Sequence, residues 1–152
     1  MIGKRGLIYG VGNPILTDDG IGPRLVADLE KSGEFPDWEF TTGAVGGLGI
    51  LERVQGYPEV VFLDAIKTAG GVPGTVYHCG LEDFRETLHL SSFHDLSFLS
   101  ALKLGQELKL KVPGRIHVIA IEIVEDLVFS DEFSPLVKAR YGEVLGEIRD
   151  WL

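Results

Sequence analysis

The chain has 152 residues, with 23 acidic against 14 basic side chains and a formal net charge of -9. That length implies one domain, residues 1 to 152, whose single core can bury about two-thirds of the unfolded surface. The charge excludes a nucleic-acid backbone or an anionic membrane surface as partner, because both would be repelled. A single cysteine, Cys79, cannot form an internal disulfide. No amino-terminal segment has the apolar core and cleavage site of a leader, and no apolar run approaches bilayer thickness, so the expected compartment is the cytoplasm.

Leu7, Ile8 and Tyr9 begin the chain's pattern as a short apolar strand that runs into Gly10-Val11-Gly12, where Gly10 and Gly12 let the backbone turn sharply. Ile21, Leu25 and Leu29 then recur every four residues, which predicts a helix over residues 19 to 32, with Pro23 in its first turn and Gly33 as its stop. Thr17 or Asp18 is expected to cap that helix, since both side chains accept hydrogen bonds from free amides at a helix start. A second strand follows from Trp38 to Thr42, and Gly43 to Gly49 reads as a turn entering a short helix through Val54. Val60-Val61-Phe62-Leu63 is a buried strand that stops at Asp64.

Beyond the loop Gly70-Gly71-Val72-Pro73-Gly74, Thr75 to Cys79 reads as a strand at a sheet edge, and residues 80 to 93 are ambiguous. A helix from His94 to Leu108 carries Leu96, Leu99 and Leu102. Ile116 to Ile123 is rich in β-branched residues and reads as a strand. Val137, Tyr141, Val144, Ile148 and Trp151 fall on one face of a carboxyl-terminal helix. The alternation predicts a three-layer α/β sandwich, a twisted and mostly parallel sheet of about five strands with one antiparallel edge strand and helices on both faces.

In such a sheet the working crevice lies outside the carboxyl ends of the strands, so residues that follow the first and third strands should converge there. Those residues are Asp19 and Asp64. Asp64 taken alone reads equally well as a solvated strand end or a cap. The glycines suggest a dinucleotide site, but the third glycine of that fingerprint is replaced by Ile15, and the second strand ends in Thr41 and Thr42 rather than an acid. A serine nucleophile would want a Gly-x-Ser-x-Gly elbow, which is absent.

Of the four histidines, His78 and His117 sit inside strands and read as structural, and His89 has no evident partner. His94 follows Ser91-Ser92-Phe93 at a helix start, where a protonated imidazole would oppose the helix dipole but a neutral, metal-ligating one would not. Asp19, Asp64 and His94 together make a three-ligand set of the kind that holds a divalent transition ion and leaves positions open.

The opening segment, Gly10-Val11-Gly12-Asn13-Pro14-Ile15-Leu16-Thr17-Asp18-Asp19-Gly20-Ile21-Gly22, resembles the amino-terminal signature of the hydrogenase maturation proteases almost position for position. Leu63-Asp64-Ala65 and His94-Asp95-Leu96-Ser97 are similar to the segments that carry that family's second and third metal ligands, and Asp19 falls on the first. Ile121-Glu122-Ile123 and Phe133-Ser134-Pro135-Leu136-Val137 fit its last strand and helix. The resemblance implies a nickel-dependent endopeptidase that removes the carboxyl-terminal extension of a [NiFe] hydrogenase large-subunit precursor. It implies further that nickel arrives with the loaded precursor, the partner, so that the isolated protein is metal-free. Monomer is the expectation for a self-sufficient core. The turn Thr41-Thr42-Gly43-Ala44-Val45 departs from the family by lacking an acid and a Gly-Gly-Thr sequence, and the family is held to engage its precursor there. The alternative from another class is a non-catalytic nickel-binding chaperone that docks on the precursor without cutting it.

Overall fold

The computed structural model describes residues 4–43, 48–80 and 93–152, without the side chains of residue 48 and of residues 93–99. Most of the stretch left ambiguous in the sequence, including His89, Ser91 and Ser92, lies outside the described residues, as do residues 44–47 of the turn after the second strand.

Strands β1 (Gly6–Val11), β2 (Trp38–Gly43), β3 (Glu59–Ile66), β4 (Val76–Gly80) and β5 (Arg115–Glu122) form one sheet in the order β2-β1-β3-β5-β4. β1 pairs in parallel with β2 and β3, and β3 in parallel with β5. β4 alone runs antiparallel, at the edge beside β5. Every residue of β1 and β3 is buried, as expected of strands covered on both faces by helices.

Among the described residues the helices are α1 (Ile21–Ser32), α2 (Leu48–Val54), α3 (Phe93–Glu107) and α4 (Pro135–Trp151), and a single 3-10 turn, Thr17–Gly20, precedes α1. Alternation along the strands sends Leu7, Tyr9, Val60, Phe62 and Val118 to one face, where Ile50 and Val54 of α2 and Leu102 of α3 cover them. Ile8, Val61, Leu63, Ile119 and Ile121 point to the other face, against Ile21, Leu25 and Leu29 of α1 and Val137, Val144 and Ile148 of α4. This is the expected three-layer sandwich, with α1 and α4 on one side and α2 and α3 on the other.

Local details differ from the sequence expectation in three places. β3 continues two residues past Asp64, because Ala65 and Ile66 keep their parallel partners Ile121 and Glu122 in β5. Gly10 does not turn the chain but stays in β1, paired with Thr42 and Leu63. α1 begins at Ile21 rather than residue 19, and neither Thr17 nor Asp18 caps it: its N-cap is Gly20, without a side-chain hydrogen bond. Both side chains are committed elsewhere, to the segment after β5.

Candidate active site

The strand order places β1 between β2 and β3, and the chain leaves β1 through α1 on one face while α2 connects β2 to β3 across the other. The carboxyl ends of β1 and β3 therefore form a topological switch point, where diverging connections leave a crevice.

Two glycines bring the chain to that edge. Gly12 has φ 145°, a backbone region closed to most side chains, and a Cβ there would overlap the carbonyl oxygen of Asp19. Gly22, in the first turn of α1, lies so close to β1 and β3 that a Cβ would overlap the Leu63 carbonyl oxygen and stand 2.7 Å from that of Val11. The segment carrying Asp19 is thus folded back against the end of β1, and the start of α1 rests on the residue that precedes Asp64.

Asp19 is half-buried, and its Oδ2 accepts a hydrogen bond from the Asn13 backbone amide at 2.8 Å. Asp64 is fully buried, and its Oδ1 accepts from the Ala65 amide at 2.8 Å. Asp19 is oriented by an amide at the exit of β1 and Asp64 by the amide of the next residue in β3, and both sit at one edge of the sheet. His94 is the second residue of α3, in its first turn as expected, but its side chain lies outside the described residues. Among the described residues no group of three His, Cys, Asp or Glu side chains is placed to hold a metal ion.

Asp18 separates from its neighbour completely. Its buried carboxylate accepts from the amides of Val124 (3.1 Å), Glu125 (2.9 Å) and Ser134 (2.8 Å) and from the Ser134 hydroxyl (2.7 Å). Ser134 is the N-cap position of α4, so the carboxylate caps the last helix from a distance of 116 residues in sequence. The Thr17 hydroxyl donates to the Val128 carbonyl oxygen, and the Thr17 amide to that of Ser130 at 3.0 Å. A third carboxylate at the same edge, Glu122, ends β5 next to Ile66. It is buried and accepts from the Thr68 amide at 2.8 Å and the Tyr77 hydroxyl at 2.9 Å, tying down the loop after β3. Sequence reasoning passed over Glu122 as a site-edge residue, although the same rule, an acid at a strand's carboxyl end, points to it.

The end of β2 is held by Arg53 of α2, whose Nη1 donates to the Thr41 hydroxyl and the Thr42 carbonyl oxygen, both at 3.0 Å. Burial pushes the Tyr9 hydroxyl in this region above its ordinary pKa, with Arg53 pulling partly the other way. His78 and His117 lie at the opposite end of the sheet. The His117 Nε2 is 2.8 Å from Glu59, and both imidazoles pack edge-on to Trp151 of α4. Their structural reading agrees with this arrangement.

No protein-family model matches the chain. It is 37% identical over 73 residues to the hydrogenase 2 maturation protease of Escherichia coli (strain K12), a match spanning 47% of this chain and 44% of that protein, less than half its length. The structure superposes on the hydrogenase maturating endopeptidase HybD from E. coli with a TM-score of 0.77 and 25% identity, covering 96% of this chain and 90% of the other. The hydrogenase 2 maturation peptidase from Thaumarchaeota archaeon SCGC_AB-539-E09 gives a TM-score of 0.65 at 29% identity, with 97% of each chain covered. In sequence over its matched part and in fold over nearly its whole length, the chain is thus similar to the hydrogenase maturation proteases.

Proposed function

We propose that this protein is an endopeptidase that removes the carboxyl-terminal extension of a [NiFe] hydrogenase large-subunit precursor, and that Asp19, Asp64 and His94 engage the nickel ion that the precursor carries. The observation that carries the reading is the placement of Asp19 and Asp64 at the β1/β3 switch point, each oriented by a backbone amide. The donor set fits the group: two carboxylates and an imidazole, without a thiolate, suit a first-row divalent ion bound with moderate strength. Such an ion, once shared with the substrate, is a Lewis acid for the scissile carbonyl or for a water that attacks it.

The protein's own part is positional. Asp64 sits on a fully buried strand end, so its carboxylate moves little relative to the sheet. Asp19 stands on a turn that Gly12 and Gly22 hold against β1 and β3, which fixes the separation of the two groups through backbone contacts. His94 belongs to the first turn of α3, a position where a helix dipole opposes a protonated imidazole more than a neutral one. The protein meets its substrate in the cytoplasm in this reading, and no described helix is long and apolar enough to cross a membrane.

The test is incubation with a nickel-loaded large-subunit precursor, following loss of the carboxyl-terminal peptide by mass. Asp19→Asn and His94→Ala should lower the cleavage rate by more than the roughly 100-fold that loss of an outer-shell partner costs a metal site. Asp19→Asn retains an oxygen for the Asn13 amide, so its thermal midpoint should stay near that of the parent. Undiminished cleavage in either variant overturns the site assignment. Equal cleavage of metal-free precursor overturns the role of nickel. Tight binding without any shortened product turns the assignment to the chaperone.

A further inference from the structure

Immediately beyond β5 the chain exposes a run of large apolar side chains. Leu127 is 80% exposed and Phe129 78%, with Val128 at 56% between them and Val124 at 42%. Ile15, 53% exposed, joins them from the opening segment, since the Ser130 amide donates to its carbonyl oxygen at 2.9 Å and Leu16 and Ser130 form a parallel bridge.

Many of the backbone polar groups of this loop are tied down. The amides of Val124 and Glu125 are taken by buried Asp18, those of Leu127 and Val128 by the Glu125 carboxylate at 2.8 and 3.2 Å, and the Val128 and Ser130 carbonyl oxygens by Thr17. A loop so pinned holds its apolar side chains in water at a standing cost, and contiguous exposed apolar surface of this kind marks an interaction site. Rigid apolar anchors lose little freedom on binding, which makes them efficient contacts.

We propose that the loop from Val124 to Ser130, with Ile15, is a docking surface for an apolar segment of the polypeptide substrate that carries a basic residue beside it. Continuity with the crevice decides the occupant: the same residues that order the loop, Thr17 and Asp18, adjoin Asp19. Charge decides its chemistry, for the stretch from Val124 to Glu132 contains four acids and no lysine or arginine; Lys67 pairs with Asp126 at 3.3 Å and Glu125 holds loop amides, which leaves the exposed Asp131 and Glu132 to face a basic residue. The proposal rests on the protease reading for the identity of the polypeptide.

The test uses the full chain with Leu127→Ser and Phe129→Ser combined. Both side chains are exposed, so the fold should be retained, checked by an unchanged thermal midpoint. Binding of the nickel-loaded precursor is measured directly by calorimetry, and cleavage separately by mass. Expected is a rise of at least about tenfold in Kd and KM with kcat within twofold, as for loss of interface anchors. Leu127→Met with Phe129→Leu, which keeps the apolar surface, should restore most of the affinity. Unchanged Kd in the Ser variant overturns the proposal, as does failure of the parent to bind the precursor. Binding by the parent without cleavage, weakened in the Ser variant, leaves the docking surface standing and overturns the protease reading. A parent that sediments as a dimer and becomes monomeric in the Ser variant assigns the patch to a second copy of this chain and overturns the proposal.

Discussion

Asp18 offers a sharp test of how the two ends of the sequence are joined. Replacing it with alanine removes four hydrogen bonds to an ionised acceptor, from the amides of Val124, Glu125 and Ser134 and the Ser134 hydroxyl. Hydrogen bonds to charged groups contribute about 1.5–3 kcal/mol each, so the gross loss would reach roughly 6–12 kcal/mol if every donor were left dry. They are not all dry, because Val124 is exposed and Glu125 and Ser134 are half-buried, and water can reach several of these donors once the loop relaxes. The carboxylate also faces the amino-terminal end of α4, a favourable dipole contact of about 0.3–1 kcal/mol. Each neutral donor left buried without a partner costs about 1–3 kcal/mol, and with water reaching the exposed Val124 end the net loss for Asp18→Ala is about 3 kcal/mol.

For a domain of this size that lowers the thermal midpoint by roughly 6–12 °C. Asp18→Asn keeps an acceptor oxygen but turns an amide donor toward other donors, and should lose about half as much stability. Urea unfolding gives the free energies, and amide hydrogen exchange should report lost protection at Val124, Glu125 and Ser134 specifically. A loss below about 1 kcal/mol, or unchanged protection at those amides, would refute the reasoning.

Gly22→Ala should destabilise by about 1–3 kcal/mol and cut any precursor cleavage, because the added Cβ meets backbone of β1 and β3 and must push the start of α1, with Asp19, outward. Gly142→Ala is the control of opposite sign: nothing lies within 4 Å of its Cβ inside α4, and denaturant unfolding should show a gain of about 0.5–1 kcal/mol. The pKa of His78 is lowered, first by burial against its neighbours and then by the charge of His117. Its folded-state pKa lies below the unfolded value, so the unfolded chain takes up its proton first and stability falls as pH drops below the ordinary histidine range. His78→Gln should make the urea midpoint less sensitive between pH 7 and 5.5; an identical decline in both proteins would count against it.

Much of the fold was legible because buried strands and amphipathic helices carry their periodicity locally. Leu7 to Tyr9 and Val60 to Leu63 announced strands covered on both faces, and Thr75 to Cys79, isolated among loops, announced an edge. Boundaries were less legible where a partner strand decides them: Ala65 and Ile66 extend β3 because Ile121 and Glu122 lie alongside. The capping expectation at Thr17 and Asp18 failed for the same reason. Local preference offered them the nearby helix, and the folded chain gave them partners more than 100 residues away, an acceptor for Thr17 and donors for Asp18.

Residue chemistry alone therefore determined the class of fold, the carboxylates at strand ends and the family resemblance of the opening segment, because each is written in contiguous residues. Only the tertiary structure decided what Asp18 holds. It brought the loop after β5 and the start of α4 against that carboxylate, while Asp19 accepts from the Asn13 amide, and it set Leu127 and Phe129 outward. No local rule encodes these outcomes, since they depend on which donors the packed sheet and helices deliver to each oxygen.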